Sequence, residues 1–398
     1  MRILLVIDDM HPRSGGPPVV VAGSAIALAA RGHAVTILSA VQPGDDAAVR
    51  ARWSAVTDVG VTLNLRPPLG AASLFGSPDA TLVQAIEHAN VVHIHGVWAP
   101  ILILSGRVAR QHGIPYFVST HGVFDHRAMT RIKRKWAKKR LAVALFGIRG
   151  FLERAAGVVF GSEAEAEQSW KASSDMRLTF VPNGADATLG TTMPTAGDLA
   201  RLHAVAPATA GWARTILCRS RIHEEKGIDL LVQAFNSVAP DFPGVGLLIA
   251  GLRQDDAYQQ RVAALIAGGP VSDRIVLTTD LTGPTSQFLY RAADIFAMPS
   301  LAEGFSMGLV EGLANGRPLL ITRYCHMPVV AAAGAGVVVE STVGSIAGGL
   351  REMLDGRHDL PAMGAAGRRL FETRFTWDHV AAQLEGEYVG ARVGTTAA

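Results

Sequence analysis

Short runs of unbroken apolar residues recur along the chain, each followed by a loop and then a longer stretch with helical spacing. RILLVI (2–7) is continuous rather than alternating, which predicts a strand covered on both faces, as in a parallel sheet. A loop holding Gly15-Gly16-Pro17-Pro18 follows, then a small-residue helix that stops at Gly32, and VTILSA (35–40) is the next strand. Strand, glycine loop, helix and strand make a βαβ unit of Rossmann type, without the G-x-G-x-x-G spacing of a nicotinamide site. Further strands are predicted at 61–65, 91–96 and 114–122, and at the starts of 157–168 and 177–186. Helices are predicted near 79–89, from Trp98 to Arg110, and after Ser162, which has Glu165 at capping-box spacing. The alternation restarts at TILC (215–218) and runs through GLLIAGL (246–252), RIVLTTD (274–280), Ile295 to Met298, RPLLITR and AGVVVE. The Ala/Thr/Pro/Gly-biased, weakly patterned stretch at 188–210 reads as a linker. The pattern therefore predicts an α/β chain with Rossmann-like domains at 1–187 and 211–372 and a C-terminal helix at 373–398.

Composition agrees with two full domains: 398 residues, 49% hydrophobic and 18% charged, supply two cores. A net charge of +3 makes no case for nucleic acid. Cys218 and Cys325 give no disulfide framework, sit beside apolar runs and fit buried thiols in a reducing compartment. MRILLVIDD is too short and ends too acidic for a signal peptide, and no stretch approaches a spanning helix. The expected location is the cytoplasm, or a peripheral position on the inner face of the cytoplasmic membrane. One segment departs from the even charge: RAMTRIKRKWAKKR (127–140) has eight basic residues and no acid. Arg131, Lys133, Arg134, Lys135, Lys138 and Lys139, with Trp136, would give a helix a basic face, and Leu141 and Leu145 continue an apolar strip. Anionic lipid headgroups, an anionic acceptor or plain solvent could each meet that face.

The candidate chemistry centres on DIFAMPSLAEGFSMGLVEGLANGRPL (294–319). An apolar strand, a glycine-punctuated loop and a helix N-terminus present unpaired backbone N–H groups to an anion. Glu303 lies in the loop, and Glu311 falls one to two turns into a helix starting near Ser306. Two carboxylates then flank a backbone anion site, which suits a phosphate with hydroxyl-rich groups beside it. Arg219, Arg221 and Lys226 follow the TILC strand just before another helix, and fixed cations there suit a diphosphate. No histidine pair has a carboxylate or cysteine partner at ligand spacing, and no Asp-x-Asp follows a strand, so a metal-independent reaction is expected. His93 and His95 read as structural histidines.

Glu303-x7-Glu311 within PSLAEGFSMGLVEGLANGRP resembles the signature of the retaining glycosyltransferases of family 4, which have the GT-B fold. The resemblance implies parallel sheets facing a central cleft, with a nucleotide-sugar held on Gly304, Phe305 and Ser306, the sugar facing Glu303 and the ribose hydroxyls on Glu311. Ser306 stands where a glycine is more usual. SRIHEEKG resembles the family's R-x4-K pair, putting Arg221 and Lys226 on the leaving diphosphate, and the loop from Leu281 to Pro284 would seat the nucleobase. STHGVFD resembles the loop in which His121 approaches the donor sugar, and Gly15-Gly16 the glycine loop across from the donor phosphates. Phe375-Thr376-Trp377 is similar to the final segment, which crosses back to the first domain. The implied activity is hexosyl transfer from a UDP- or GDP-sugar to a lipid-linked or saccharide acceptor with retention, in exopolysaccharide or lipopolysaccharide assembly, without cofactor. A same-fold sugar-nucleotide epimerase would form product without acceptor, and a non-enzymatic interaction protein would need no such cluster of Arg221, Lys226, Glu303 and Glu311.

Overall fold

The computed structural model describes all residues except 12–13, 127–132, 282–285 and 397–398, and the backbone alone at 133–138 and 393–396. The chain divides into two units, Met1–Gly184 with Thr376–Ala398, and Ala185–Phe375.

The first unit holds a seven-stranded sheet of order β3-β2-β1-β4-β5-β6-β7. Its strands are β1 (Arg2–Ile7), β2 (Ala34–Ala40), β3 (Thr62–Arg66), β4 (Val91–His95), β5 (Tyr116–Ser119), β6 (Gly157–Phe160) and β7 (Leu178–Phe180). All neighbours are parallel, with β1 central between β2 (Leu4 opposite Thr36) and β4 (Leu4 opposite Val92). Side chains alternate across a strand. Accordingly, Ile3, Leu5 and Ile7 enter one core cluster while Leu4 and Val6 enter another, so helices cover both faces. That is the physical reason for the unbroken apolar run.

The second unit repeats the plan with six parallel strands, order β10-β9-β8-β11-β12-β13. These are β8 (Arg214–Arg219), β9 (Val245–Ala250), β10 (Ile275–Thr278), β11 (Ile295–Met298), β12 (Leu319–Thr322) and β13 (Gly336–Val339). Ile216, Leu247 and Ile295 pack on one side, and Leu217, Leu248 and Phe296 on the other.

The stretch at 188–210 is not a linker. It belongs to the second unit and contains the helix Ala196–Val205, whose Leu202 is buried in the core. The Thr195 side chain accepts from the Asp198 N–H while the Asp198 carboxylate accepts from the Thr195 N–H, a capping box built with aspartate. At Ser162 the side chain accepts from the Glu165 N–H, and the Glu165 carboxylate accepts from the Gly161 N–H. In the first unit the indole of Trp377 fills a notch between Gly23 and Gly184, where a Cβ would stand 2.1 and 2.6 Å from the ring.

Candidate active site

The strand order of the second sheet turns around between β8 and β11, and ligands of open α/β sheets bind at the carboxyl ends of strands beside such a switch point. Two loops meet there. The loop after β8 passes through the short helix Glu224–Lys226 to Gly227, at φ 60°. A Cβ on Gly227 would lie 2.2 Å from the Pro299 carbonyl oxygen, so glycine alone permits this approach. The Leu301 N–H donates to the Glu225 carbonyl at 2.7 Å and fastens the loops together. Glu303 and Lys226 are thereby brought side by side, both almost fully buried, with Nζ 2.5 Å from Oε1. The Ser300 hydroxyl donates to the same oxygen at 2.7 Å.

The helix Met307–Ala314 begins immediately afterwards. Its N-cap, Ser306, makes no side-chain cap and points its hydroxyl at the Met298 sulfur, 3.2 Å away; the first turn carries no acid. The first-turn N–H groups thus lack a side-chain acceptor, the arrangement that receives an anion. Glu311, in the second turn, is pinned from three directions. Arg219, the last residue of β8, donates to Oε2 at 2.8 Å and Tyr290 to the same oxygen at 2.9 Å, while Gln287 donates to Oε1 at 2.7 Å. Burial together with the Glu311 charge holds the Tyr290 phenol far above its usual range, and Arg219 stays a cation beside them. A carboxylate offers about four lone-pair sites, and three donors leave room at Oε1 for one more. Both cysteines are free and buried, and burial pushes each thiol up to about 12, assisted at Cys325 by the charge of Glu303.

In the first unit the switch point lies between β1 and β4. Gly15, at φ 82°, is the N-cap of the helix Gly16–Ala30 and has no side chain to cap it, as with Ser306 in the other unit. At the ends of β4 and just past β5 three imidazoles stack: His93 on His95 at 4.4 Å and His95 on His121 at 5.2 Å between centroids. His93 is bonded on both nitrogens, to Tyr388 at 2.6 Å and Ser119 at 2.8 Å, and His95 Nδ1 is 3.0 Å from His121 Nε2. Burial holds all three neutral, lowering His93 to about 3, His121 to about 4 and His95 well below its usual value. His121 adopts a left-handed φ of 51°, which turns the chain sharply after β5.

Residues 208–370 match the family described as "Glycosyl transferases group 1", and residues 15–184 the "Glycosyl transferase 4-like domain". The GDP-mannose-dependent alpha-(1-6)-phosphatidylinositol monomannoside mannosyltransferase of Mycobacterium tuberculosis is 27% identical, covering 96% of this chain and 97% of that protein. The GDP-mannose:cellobiosyl-diphosphopolyprenol alpha-mannosyltransferase of Xanthomonas campestris is 26% identical, covering 98% of this chain and 97% of that protein. Among solved structures, Anabaena HepE in complex with UDP superposes with a TM-score of 0.75 at 16% identity, covering 98% of this chain and 100% of that one. This chain is a family 4 glycosyltransferase with the GT-B fold.

In the glycosyltransferase some of the sequence-predicted residues belong to the second unit and others to the first. Lys226, Glu303, Gly304, Phe305, Ser306 and Glu311 all belong to the second unit, Lys226 against Glu303 and the others along the loop and helix that follow β11, with Phe305 packed on Phe375 at 5.7 Å. Arg221 follows the same strand, but its guanidinium reaches Gln254 on the loop after β9 and is exposed. Arg219, grouped with the cations for a diphosphate, is spent on Glu311 instead. Its side chain leaves the end of β8 toward the helix carrying Glu311, and the carboxylate claims it. His95, read as structural, is the direct partner of His121. Gly15 and Gly16 sit in the first unit and His121 beside the imidazole stack there.

Arg131 of the basic segment lies outside the described residues, as do Thr282 to Pro284 of the loop expected to seat the nucleobase and the side chains of Lys133, Arg134, Lys135, Trp136 and Lys138. Lys139 stands over the Trp98 ring at 5.5 Å, and Leu141 and Leu145 are 59% and 62% exposed on the helix Lys133–Leu145. Tyr290, Gln287 and Ser300 escaped sequence reasoning. The signal for the first two was a Gln and a Tyr three positions apart, at spacing that puts both on one helix face. Among the described residues no group of three His, Cys, Asp or Glu is placed to hold a metal, and no helix is long and apolar enough to cross a membrane.

Proposed function

We propose that this glycosyltransferase transfers a hexosyl unit from a GDP- or UDP-sugar to a hydroxyl of a lipid-linked or saccharide acceptor, with retention of anomeric configuration and without a metal. The observation that carries the reading is the buried Lys226–Glu303 pair beside an uncapped helix start and a pinned Glu311. Lys226 gives one of its three donors to Glu303, and the other two suit a diphosphate. Glu303 engages Lys226 and Ser300 through Oε1, which leaves Oε2 for a hydroxyl of the donor sugar. Glu311 takes one ribose hydroxyl on its remaining lone pair.

In the proposed reaction the bond from the anomeric carbon to the diphosphate oxygen breaks, and its electron pair leaves on that oxygen. The acceptor oxygen attacks from the same face, and its proton passes to the departing diphosphate. No strong protein base is required. Lys226 and the helix N–H groups stabilise the charge that develops on the leaving group, and positioning supplies the rest of the rate. Relatives named as GDP-mannose-dependent mannosyltransferases with phosphatidylinositol and diphosphopolyprenol acceptors favour GDP-mannose as donor and a lipid-linked acceptor. On this reading the chain serves surface-polysaccharide or glycolipid assembly, and the exposed Leu141 and Leu145 on the basic helix meet an anionic membrane surface.

A calorimetric screen of GDP, UDP and ADP and their hexose conjugates, with and without magnesium, tests the donor site. One nucleotide is expected to bind equally well in both conditions, and the anomeric configuration of the product, read by NMR, to match the donor's. Binding that requires magnesium, or no nucleotide binding at all, would refute the proposed site.

A further inference from the structure

The amino ends of the strands in the second unit border a cavity of about 760 Å3, lined by Arg214 at the start of β8, Asp294 before β11 and Pro318 before β12. Lys226 and Glu303 lie at the other edge of the same sheet. Four arginines face the cavity, Arg214, Arg291, Arg317 and Arg368, against two aspartates, Asp294 and Asp359.

Both acids already serve the backbone: Asp294 accepts from the Thr215 N–H at 2.7 Å, and Asp359 caps the Ala362 N–H at 3.0 Å. Three of the arginines were gathered by the end of the helix Met307–Ala314, a usual place for cations. Arg291 and Arg317 donate to the Asn315 carbonyl at 3.3 and 2.9 Å, and Arg368 to that of Ala314. Capping explains their presence but leaves their charge unbalanced. Among the described residues Arg368 has an acid within ion-pair distance, Glu372, while Arg214, Arg291 and Arg317 have none. Arg291 Nε is buried without a hydrogen-bond partner, and its Nη2 meets the Met193 thioether at 2.8 Å rather than an oxygen. Like charge from Arg291, after burial, also holds the Arg317 guanidinium below its usual value, opposed by Asp294.

We propose that this cavity is a binding site for a small phosphorylated molecule, a diphosphate or sugar phosphate, separate from the nucleotide-sugar site. The volume falls within the range of small-molecule sites, and planar guanidinium forks match phosphate oxygens. The anion sits among the guanidinium groups of Arg214, Arg291 and Arg317 that line the cavity.

Inorganic pyrophosphate, titrated calorimetrically into the full chain and three variants, tests this. Binding is expected to persist in Lys226→Ala and to weaken about tenfold or more in Arg214→Glu and in Arg291→Met, both of which keep wild-type nucleotide binding. Arg214 is exposed at the first position of its strand, so its variant folds even where the Arg291 variant does not. Pyrophosphate binding that vanishes in Lys226→Ala and survives Arg214→Glu would overturn the assignment, as would no binding at millimolar pyrophosphate.

Discussion

Lys226 and Glu303 hold opposite charges 2.5 Å apart with about a tenth of each side chain exposed. Removing one member of such a pair strands the other charge in a poorly solvated place, which costs about 3–5 kcal/mol, whereas removing both costs far less. Lys226→Ala is therefore expected to lower the denaturant midpoint, and the double variant with Glu303→Ala to recover much of it. Turnover should stay low in both, because the leaving diphosphate has lost its ammonium. Near wild-type turnover in either, measured below the melting temperature, would sink the role given to Lys226. His93 carries a second residue-scale expectation. Its folded value of about 3 lies below the ordinary histidine value, so between pH 6.5 and 3 the unfolded chain binds a proton that the native chain does not. Stability is therefore intact above pH 6.5 and falls as pH drops, by up to about 1.4 kcal/mol per pH unit for one such group. Replacing His93 with asparagine should shrink the loss of urea midpoint between pH 7 and 5. An unchanged loss would mean that other groups set it.

At the scale of elements, the site depends on two loops touching, and Gly227 is where they touch. Alanine there would combine a left-handed φ with a Cβ 2.2 Å from the Pro299 oxygen. Gly227→Ala is expected to cost about 2 kcal/mol or more and to weaken nucleotide binding, since Lys226 and Glu303 no longer meet. Wild-type nucleotide affinity in a folded Gly227→Ala protein would contradict this. The helix Lys133–Leu145 carries a different expectation: vesicles containing anionic lipid should sediment the protein, and Leu141→Ser with Leu145→Ser should reduce the bound fraction. Equal sedimentation with neutral vesicles would remove the anionic lipid, and no sedimentation with either the membrane itself, from the proposed function. These elements were legible to different degrees. Most strands were marked by an apolar run, because burial on both faces, as in β1, β9, β11 and β12, leaves few polar positions to blur it. The helix Ala196–Val205 was not, because its capping box uses aspartate and it buries little more than Leu202. The contacts of Arg219 and Tyr290 with Glu311 join residues far apart in the chain, and no local pattern encodes such a meeting.

At the scale of the whole molecule, the two units differ in how the chain builds them. The second is one continuous segment, Ala185–Phe375, with its own sheet and core. The first is discontinuous: Thr376–Ala398 returns to it and contributes buried Val380, Ala381, Leu384 and Tyr388 to its core cluster. Tyr388 bonds His93 at 2.6 Å, and Trp377 fills the notch between Gly23 and Gly184. Without that segment a buried histidine nitrogen loses its partner and an apolar face meets water, at about 25 cal/mol for each Å2 exposed. Residues 185–375 alone are therefore expected to fold cooperatively and to bind the nucleotide found in the screen with near wild-type affinity, since Lys226, Glu303 and Glu311 all lie within them. Residues 1–184 alone are expected to melt without a cooperative transition, and to regain one when 376–398 is fused through a flexible linker. Circular dichroism melts and calorimetry read both outcomes. A cooperative melt of 1–184 by itself would show that the returning helix is an accessory. Loss of nucleotide affinity in a folded 185–375 would mean that the first unit contributes binding groups, with His121 and the Gly15-Gly16 loop the first to replace.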